Sequence, residues 1–481
     1  MRKYNRILLL FLGLSCAGVA TTSCSDHLEE LNIDPNRVDK INPGTLLNPI
    51  IYEMSTFGTS RANAYTFEIM QVRVPFPSAA GGEHRYLITQ GAGNSTWNTS
   101  YRWLLNVKEM EQAAVEAEAP NYQAIALTLK AWIYSNLTDS FGDIPMKEAV
   151  SSEEGILKAA FDTQEEVYRT ILEDLEKANS LYDKTKPMAY GMDILYGNNI
   201  DNWQRFTNSL RLRLLLRVSE REEMNSFDRM AAILNNPEEN SVFTSNSQSA
   251  ILQITGVDPN MSPWGRASDF TLNTVGSEFF IDNLNAMDDP RVEKFYTPAK
   301  TSDGADMGYK GVPSGYDPAQ QFDYVPSGMN TELVTAPMIS VIMSYAEVEF
   351  IKAELAQKGI ISADAQAHYE AGVKAAIEQW GAVVPADYFE NPAAAYDGTF
   401  ERIMLQKYLA LVFNDYQQWF EYRRTGLPVL PKTEAMVNDK QVPVRFLYPE
   451  EVKIYNRDNY NAAVSRMGGD DINIKGWWEQ E

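Results

Sequence analysis

The sequence predicts a mostly α-helical protein, with degenerate tetratricopeptide-like helix-pair repeats and a loop-rich, irregular half packed on them. Three observations predict it. Long stretches without Pro or Gly place apolar residues at steps of three and four. The faces so formed set small residues against large aromatics, the way such repeats stack, although the 34-residue consensus of that repeat is not obvious. One long segment, about 226–336, breaks the pattern with Asn, Ser, Gly, Pro and Asp.

Arg2, Lys3 and Arg6 precede the apolar run ILLLFLGL at residues 7–14, and small residues follow up to Ser23. The run has the length of a signal-peptide h-region and is too short to span a bilayer. Residues 1–23 are therefore expected to be a lipoprotein signal peptide, cut before a lipidated Cys24, with 24–40 as lipid anchor and tether. Several acyl chains anchor a protein stably, because each buried CH2 contributes roughly 0.8 kcal/mol. Thr21 stands where Leu is commonest, and Cys16 is the competing cut site, with less room for a cleavage region. A buried free thiol or a Cys16–Cys24 disulfide fits a cleavable segment poorly.

With Cys24 as first residue no other cysteine remains, and residues 41–481 are expected to form a single disulfide-free domain with ample core. Losing the leader moves the net charge from −23 to about −26. That excludes nucleic acid and an anionic membrane surface as partners. Asp26, Glu29 and Glu30 read equally well as a solvated tether or as an export mark to the cell surface.

The helices follow in order. One runs from Trp97; the next, from Asn121, puts Ala124, Leu127, Ala131, Tyr134 and Leu137 on one face and stops at Gly142 and Pro145. Residues 163–182 give a third, with Val167, Ile171, Leu175 and Ala178. Trp203, Phe206, Leu210 and Leu214 mark a fourth. The segment 226–336 is long for a plain connection and is expected to hold loops, short helices and a small hairpin. Long helices are expected again over 337–359, in AQAHYEAGVKAAIEQWG, and over TFERIMLQKYLALVFNDYQQWFEYRRTG, with a loop-like tail after Gly426 and Pro428.

Catalytic chemistry finds little support. The three histidines (His27, His84, His368) are scattered, and no HExxH, GxSxG or cysteine cluster occurs. No metal site and no cofactor are expected. The GAG at 91–93 lacks the Lys-Ser/Thr of a phosphate loop. Glu347 and Glu354 share a helix face two turns, about 10 Å, apart, a spacing open to a glycosidase pair. Salt bridges to the arginines of RLRLLLR (211–217) are the stronger reading. The surplus is aromatic: 9 Trp, 25 Tyr and 20 Phe. Phe76, Tyr86, Trp264, Tyr296, Tyr309, Tyr316, Phe322 and Tyr324 fall in loop-like segments. Flat rings stack on the C–H faces of sugars while amides and charged groups take the hydroxyls; the same rings suit an apolar peptide or a protein partner.

ELNIDPN (30–36), LTDSFGDIP (137–145), DILYGNNIDNWQRFTNSLRLRLLLR (193–217), DDPRVEKFY (288–296), SYAEVEFIKAELAQKG (344–359), QKYLAL (406–411), WFEYRRTGLP (419–428), VPVRFLYPEEVKIYN (442–456) and GGDDINIKGWW (468–478) together resemble the SusD/RagB family, in order and over nearly the whole mature chain. The resemblance implies an outer-membrane lipoprotein at the cell surface, not an enzyme. It would capture a glycan, or in some members a peptide, and deliver it to a SusC-like TonB-dependent transporter. It also implies scaffold roles for Trp97, Tyr101, Trp203, Asn208, Arg213, Glu347, Glu354, Gln406, Trp419, Arg423 and Arg424. Ligand residues are not carried over by the family motifs. From the residues themselves, the loop VPFPSAAGGEHRYLITQ (74–90), mobile at Gly81 and Gly82, offers Phe76, His84, Arg85 and Tyr86 as ligand contacts. Trp264 and the loop holding Tyr309 and Tyr316 offer the others. A lipoprotein glycoside hydrolase is the reading from another class; it requires two carboxylates facing one cleft at about 5–9 Å.

Overall fold

The computed structural model describes residues 42–77 and 82–480; the cysteines and the acidic stretch after Cys24 lie outside them. Residues Asn42–Glu481 form one compact unit. Helix α1 (Pro43–Arg61) starts where the Asn42 side chain accepts the Thr45 N–H at 3.0 Å, with Pro43 at a first-turn position that needs no donor. It continues through a π-turn at Ala62–Thr66 into Phe67–Ile69, and the short strand β1 (Arg73–Pro75) follows.

Four long helices come next: α2 (Asn94–Glu116), α3 (Pro120–Phe141), α4 (Gln164–Leu181) and α5 (Ile200–Arg217). Each packs on its predecessor. Gly142 ends α3 at φ 85°, where its N–H returns to the Thr138 carbonyl at 2.7 Å. Thr163 and Glu166 cap α4 reciprocally. Helix α6 (Ser226–Asn235) closes this stack.

The loop-rich half then runs through β2 (Ala250–Ile254), a single turn at Ala267–Phe270, β3 (Thr274–Gly276), α7 (Glu278–Ala286), α8 (Arg291–Phe295), β4 (Lys300–Thr301) and β5 (Tyr324–Val325). Strand β6 (Met338–Met343) pairs antiparallel with β2, β1 with β3, and β4 with β5. The chain finishes in α9 (Tyr345–Gln357), α10 (Ala365–Gln379), α11 (Phe400–Ala410), α12 (Gln417–Thr425), α13 (Glu450–Tyr455) and α14 (Arg457–Met467).

Three expectations are corrected. Residues 337–359 are not one helix. MISVIM forms β6, whose β-branched residues suit a buried pleat, and the Ser344 hydroxyl accepting the Glu347 N–H starts α9 afresh. The helix expected over 399–426 breaks at 411–416, where Phe413 and Asp415 take positive φ and Asp415 carboxylate oxygens accept from the Tyr416 N–H and from Gln417 and Asn136. The tail contains α13 and α14 rather than loop alone.

The buried charges form a web across the helices. Arg213 holds Glu347; Arg217 reaches Asp139 and Glu421; Arg424 bridges Glu354 and Glu421; Lys407 also pairs with Glu421. Glu347 and Glu354 are buried; Glu347 pairs with Arg213 of the 211–217 run, as expected, whereas Glu354 pairs with Arg424 on α12. Arg424, Lys407 and Arg217 around Glu421 hold its carboxyl well below the ordinary range despite the opposing effect of burial.

Candidate functional site

Four of the eight loop aromatics, Phe76, Tyr316, Phe322 and Tyr324, meet on the loop-rich half, where β1 pairs with β3. Phe76 follows β1, and its N–H binds the Asn273 carbonyl at 2.9 Å. Its ring faces Phe322 at 6.1 Å, and Phe322 in turn meets Tyr316 at 5.4 Å and Tyr324 at 5.8 Å, both edge-on. These rings pack over a small apolar base of Val74, Val275 and Val312, separate from the main core. Phe76, Phe322 and Tyr324 are half-buried.

Charge gathers beside them. The Lys310 ammonium lies 4.0 Å from the centre of the Tyr324 ring, a close cation–π contact. Glu278 and Asp282, one turn apart on α7, are exposed; partial burial lifts both carboxyls above their ordinary range, each opposed by Lys310, with Asp282 adding to the rise at Glu278. The Tyr324 hydroxyl donates to the Gly311 carbonyl at 2.8 Å and is pushed up to about 12, by burial first and then by Glu278, Asp323 and Asp282. Gly311 has no room for a side chain: a Cβ there would lie 2.5 Å from the Glu278 nitrogen. The loop carrying Lys310 is thus pressed against the start of α7. Rings, a cation and two carboxylates within one patch can stack on a sugar face and exchange hydrogen bonds with its hydroxyls.

The other candidates are distributed as follows. His84, Tyr86 and Tyr316 are 0–1% exposed, so the ligand-contact role expected of them is corrected to one of support. His84 Nδ1 accepts the Gly315 N–H at 3.1 Å, its carbonyl accepts from the Ser314 hydroxyl, and Tyr316 donates to the Pro75 carbonyl at 3.0 Å. These bonds fasten the segment 313–316 to 82–86 and to the end of β1. Tyr86 enters the main core with φ 63°, turning the chain inward. Arg85 is half-buried and donates from Nε to the Ala435 carbonyl at 2.7 Å. Tyr309 is half-buried against the main core, one residue before Lys310. Trp264 belongs to another group, edge-on to Phe270 at 5.5 Å and to Phe413 at 6.5 Å.

Sequence reasoning passed over Glu278, Asp282 and Lys310. Their signal was an acidic pair at helical spacing directly after a short strand, and a lysine within an aromatic loop. Phe322 and Tyr324 were noted as loop aromatics without being chosen. Among the described residues, no group of three or more His, Cys, Asp or Glu is placed to hold a metal ion, and no helix is long and apolar enough to cross a membrane.

Comparison with known proteins decides the family. The SusD-like model described as "Starch-binding associating with outer membrane" matches residues 35–449. The chain belongs to the SusD-like family. Among solved structures, a chitin-binding protein superposes with a TM-score of 0.79 at 25% identity, covering 92% of this chain and 100% of its own. A SusD homologue from Bacteroides fragilis gives 0.77 at 26%, with the same coverage. A SusD homologue from Bacteroides uniformis shares the fold, with 0.78 at 22% identity over 92% of this chain and 100% of that one. No curated protein matches the chain. SusD-like proteins of this kind bind nutrients rather than transform them, and starch or glycan binding at the outer membrane is the property the family carries.

Proposed function

We propose that this SusD-like protein is a cell-surface lipoprotein, anchored in the outer membrane through Cys24, that captures oligo- or polysaccharide and delivers it to a SusC-like TonB-dependent transporter. The observation that carries the capture step is the patch of Phe76, Phe322 and Tyr324 flanked by Lys310, Glu278 and Asp282. The chitin-binding relative supports a glycan as cargo. Arg85, Tyr309 and Trp264 are proposed as further contacts along the ligand, and the buried His84, Tyr86 and Tyr316 as the supports of the loops that present them.

Delivery requires modest affinity. Two or three stacked rings with a few hydrogen bonds give micromolar to millimolar binding, about −8 to −4 kcal/mol, weak enough for release to a transporter. Electrophoresis of the protein through gels containing single polysaccharides tests capture, with retardation in at least one gel as the expected result. Binding of peptides alone would replace the glycan with a peptide cargo. Turnover of a chromogenic glycoside would overturn the reading as a binding protein. Co-purification with the transporter tests delivery.

A further inference from the structure

A cavity of about 370 Å³ lies between α2, α3 and the segment 146–151, within the roughly 300–1,000 Å³ range of small-ligand sites. Leu104 and Val107 of α2, with Met146, Ala149 and Val150, supply its apolar lining. It shares no residue with the aromatic patch.

Tyr134 of α3 also lines the cavity and is 3% exposed. Buried phenols usually find a partner, yet the Tyr134 hydroxyl makes no hydrogen bond among the described residues. Nor is it sealed in. Unlike the unpaired hydroxyls of Tyr65 and Tyr86, it keeps accessible surface, and the space that Tyr134 lines is this cavity. Burial, then the Asp162 and Asp174 carboxylates, push its pKa up, so the group stays a donor in want of an acceptor. Lys130, one turn earlier on the same face of α3, gives one N–H to Asp174 at 2.9 Å and keeps two.

The opposite demand comes from Glu111, one turn past Val107 on α2. It lines the cavity, and its carboxylate has no ion pair or hydrogen bond among the described residues. The remaining lysines of the lining are committed. Lys108 donates to the Val150 carbonyl, the Ser151 hydroxyl and Glu154, and Lys147 pairs with Asp162 and Glu166. Every ammonium is thus matched by a carboxylate, and Glu111 is left over. A simple anion would meet no surplus of positive charge. A simple cation would leave the Tyr134 hydroxyl unmet. A neutral molecule with both signs close together and an apolar body satisfies all three parts of the lining. The C-terminus of a peptide brings the carboxylate without the adjacent ammonium.

We propose that this cavity binds a free α-amino acid with an apolar side chain. Its carboxylate accepts from Tyr134 and Lys130, its ammonium donates to Glu111, and its side chain lies against the aliphatic lining. The site is separate from glycan capture and stands or falls independently of it.

The test is a saturation-transfer NMR titration of the full-length protein with L-phenylalanine, N-acetyl-L-phenylalanine and L-phenylalanine amide. Each derivative lacks one charged end and is expected to bind at least about tenfold weaker than the free amino acid, the loss of a charge-assisted hydrogen bond. L-Aspartate should also bind weakly, because the apolar lining would desolvate its side chain. Tyr134→Phe removes one oxygen and should weaken L-phenylalanine about fivefold. Glu111→Gln should weaken it about tenfold and erase the preference over the N-acetyl derivative. Glu111 is half-buried on the helix surface, so this variant carries the test alone should Tyr134→Phe fail to fold. Equal binding of the N-acetyl derivative would assign the cavity to a chain end and overturn the proposal. Equal binding of the amide, unchanged affinity in Glu111→Gln, or no saturation at millimolar L-phenylalanine overturns it too.

Discussion

Arg213 on α5 and Glu347 on α9 meet as a two-pronged ion pair with both side chains about 3% exposed or less, the arginine Nε donating to Oε1 at 2.6 Å. Asn414 adds a bond to the same carboxylate at 3.3 Å. The pair joins the helix stack of the first half to the helices of the second. Removing one partner leaves a buried, uncompensated charge. Arg213→Ala or Glu347→Ala should therefore destabilise the fold by about 3–5 kcal/mol, whereas replacing both with Met and Leu should cost far less. Urea unfolding of the two single variants and the double variant measures the difference.

Stability should also depend on pH through Glu68. Its carboxyl, buried beside Arg73 at 3.5 Å, is lifted to about 7, burial outweighing the arginine. The folded chain thus holds this proton more tightly than the unfolded one. The stabilisation is complete below about pH 4.5 and is lost as pH rises through about 7, a change of at most about 3 kcal/mol. Glu68→Gln should flatten the stability profile between pH 5 and 8 relative to the unaltered protein. An unchanged profile in the variant would count against Glu68 as the source.

Glycan affinity should fall about two- to tenfold for Phe322→Ala or Tyr324→Ala, from the roughly 0.5–1.5 kcal/mol of one aromatic contact. Isothermal titration against whichever polysaccharide retards the protein reads this directly. Equal affinity in both variants would remove the patch from the site.

Gly311→Ala probes the placement of Lys310. The added methyl would collide with the backbone of Ser277 and Glu278 at 2.5 Å, so the loop must move away from α7. Affinity should drop by an amount similar to that for Lys310→Ala, while the melting temperature, set by the helix stack, should shift by only a few degrees. Wild-type affinity in Gly311→Ala would show that Lys310 need not be held there.

Lipidation is tested by Cys24→Ala against Cys16→Ala. Only the first should abolish incorporation of labelled palmitate and release the protein from the membrane fraction; the reverse pattern would move the cut site to Cys16.

The helix stack was legible because one period governs it. Ala124, Leu127, Ala131, Tyr134 and Leu137 were grouped by spacing, and all are buried, as are Val167, Ile171, Leu175 and Ala178. Buried arginines were legible through the acids that needed them. Strand β6 was not, because its apolar run fits a helix equally well and its partner, Ala250–Ile254, is remote in sequence. The break at 411–416 carries no Gly or Pro; side-chain bonds of Asp415 make it. At the site, aromatic loop residues could be named, but not sorted. Whether a loop tyrosine such as Tyr316 turns inward or stays half-exposed like Tyr324 depends on which carbonyl its hydroxyl reaches, here Pro75 and Gly311, and no local pattern encodes that choice.

The pairing of β2 with β6 has an evolutionary consequence. The excursion from Ile254 to Met338 departs and returns at the same rung of one ladder. Its ends stay fixed however long the intervening chain becomes, and the entropy of closing a longer loop grows only logarithmically. Insertions, deletions and wholesale exchange of this loop-rich segment can therefore accumulate while the helical frame beneath keeps its register. A lineage can rebuild this segment without redesigning the body that carries it.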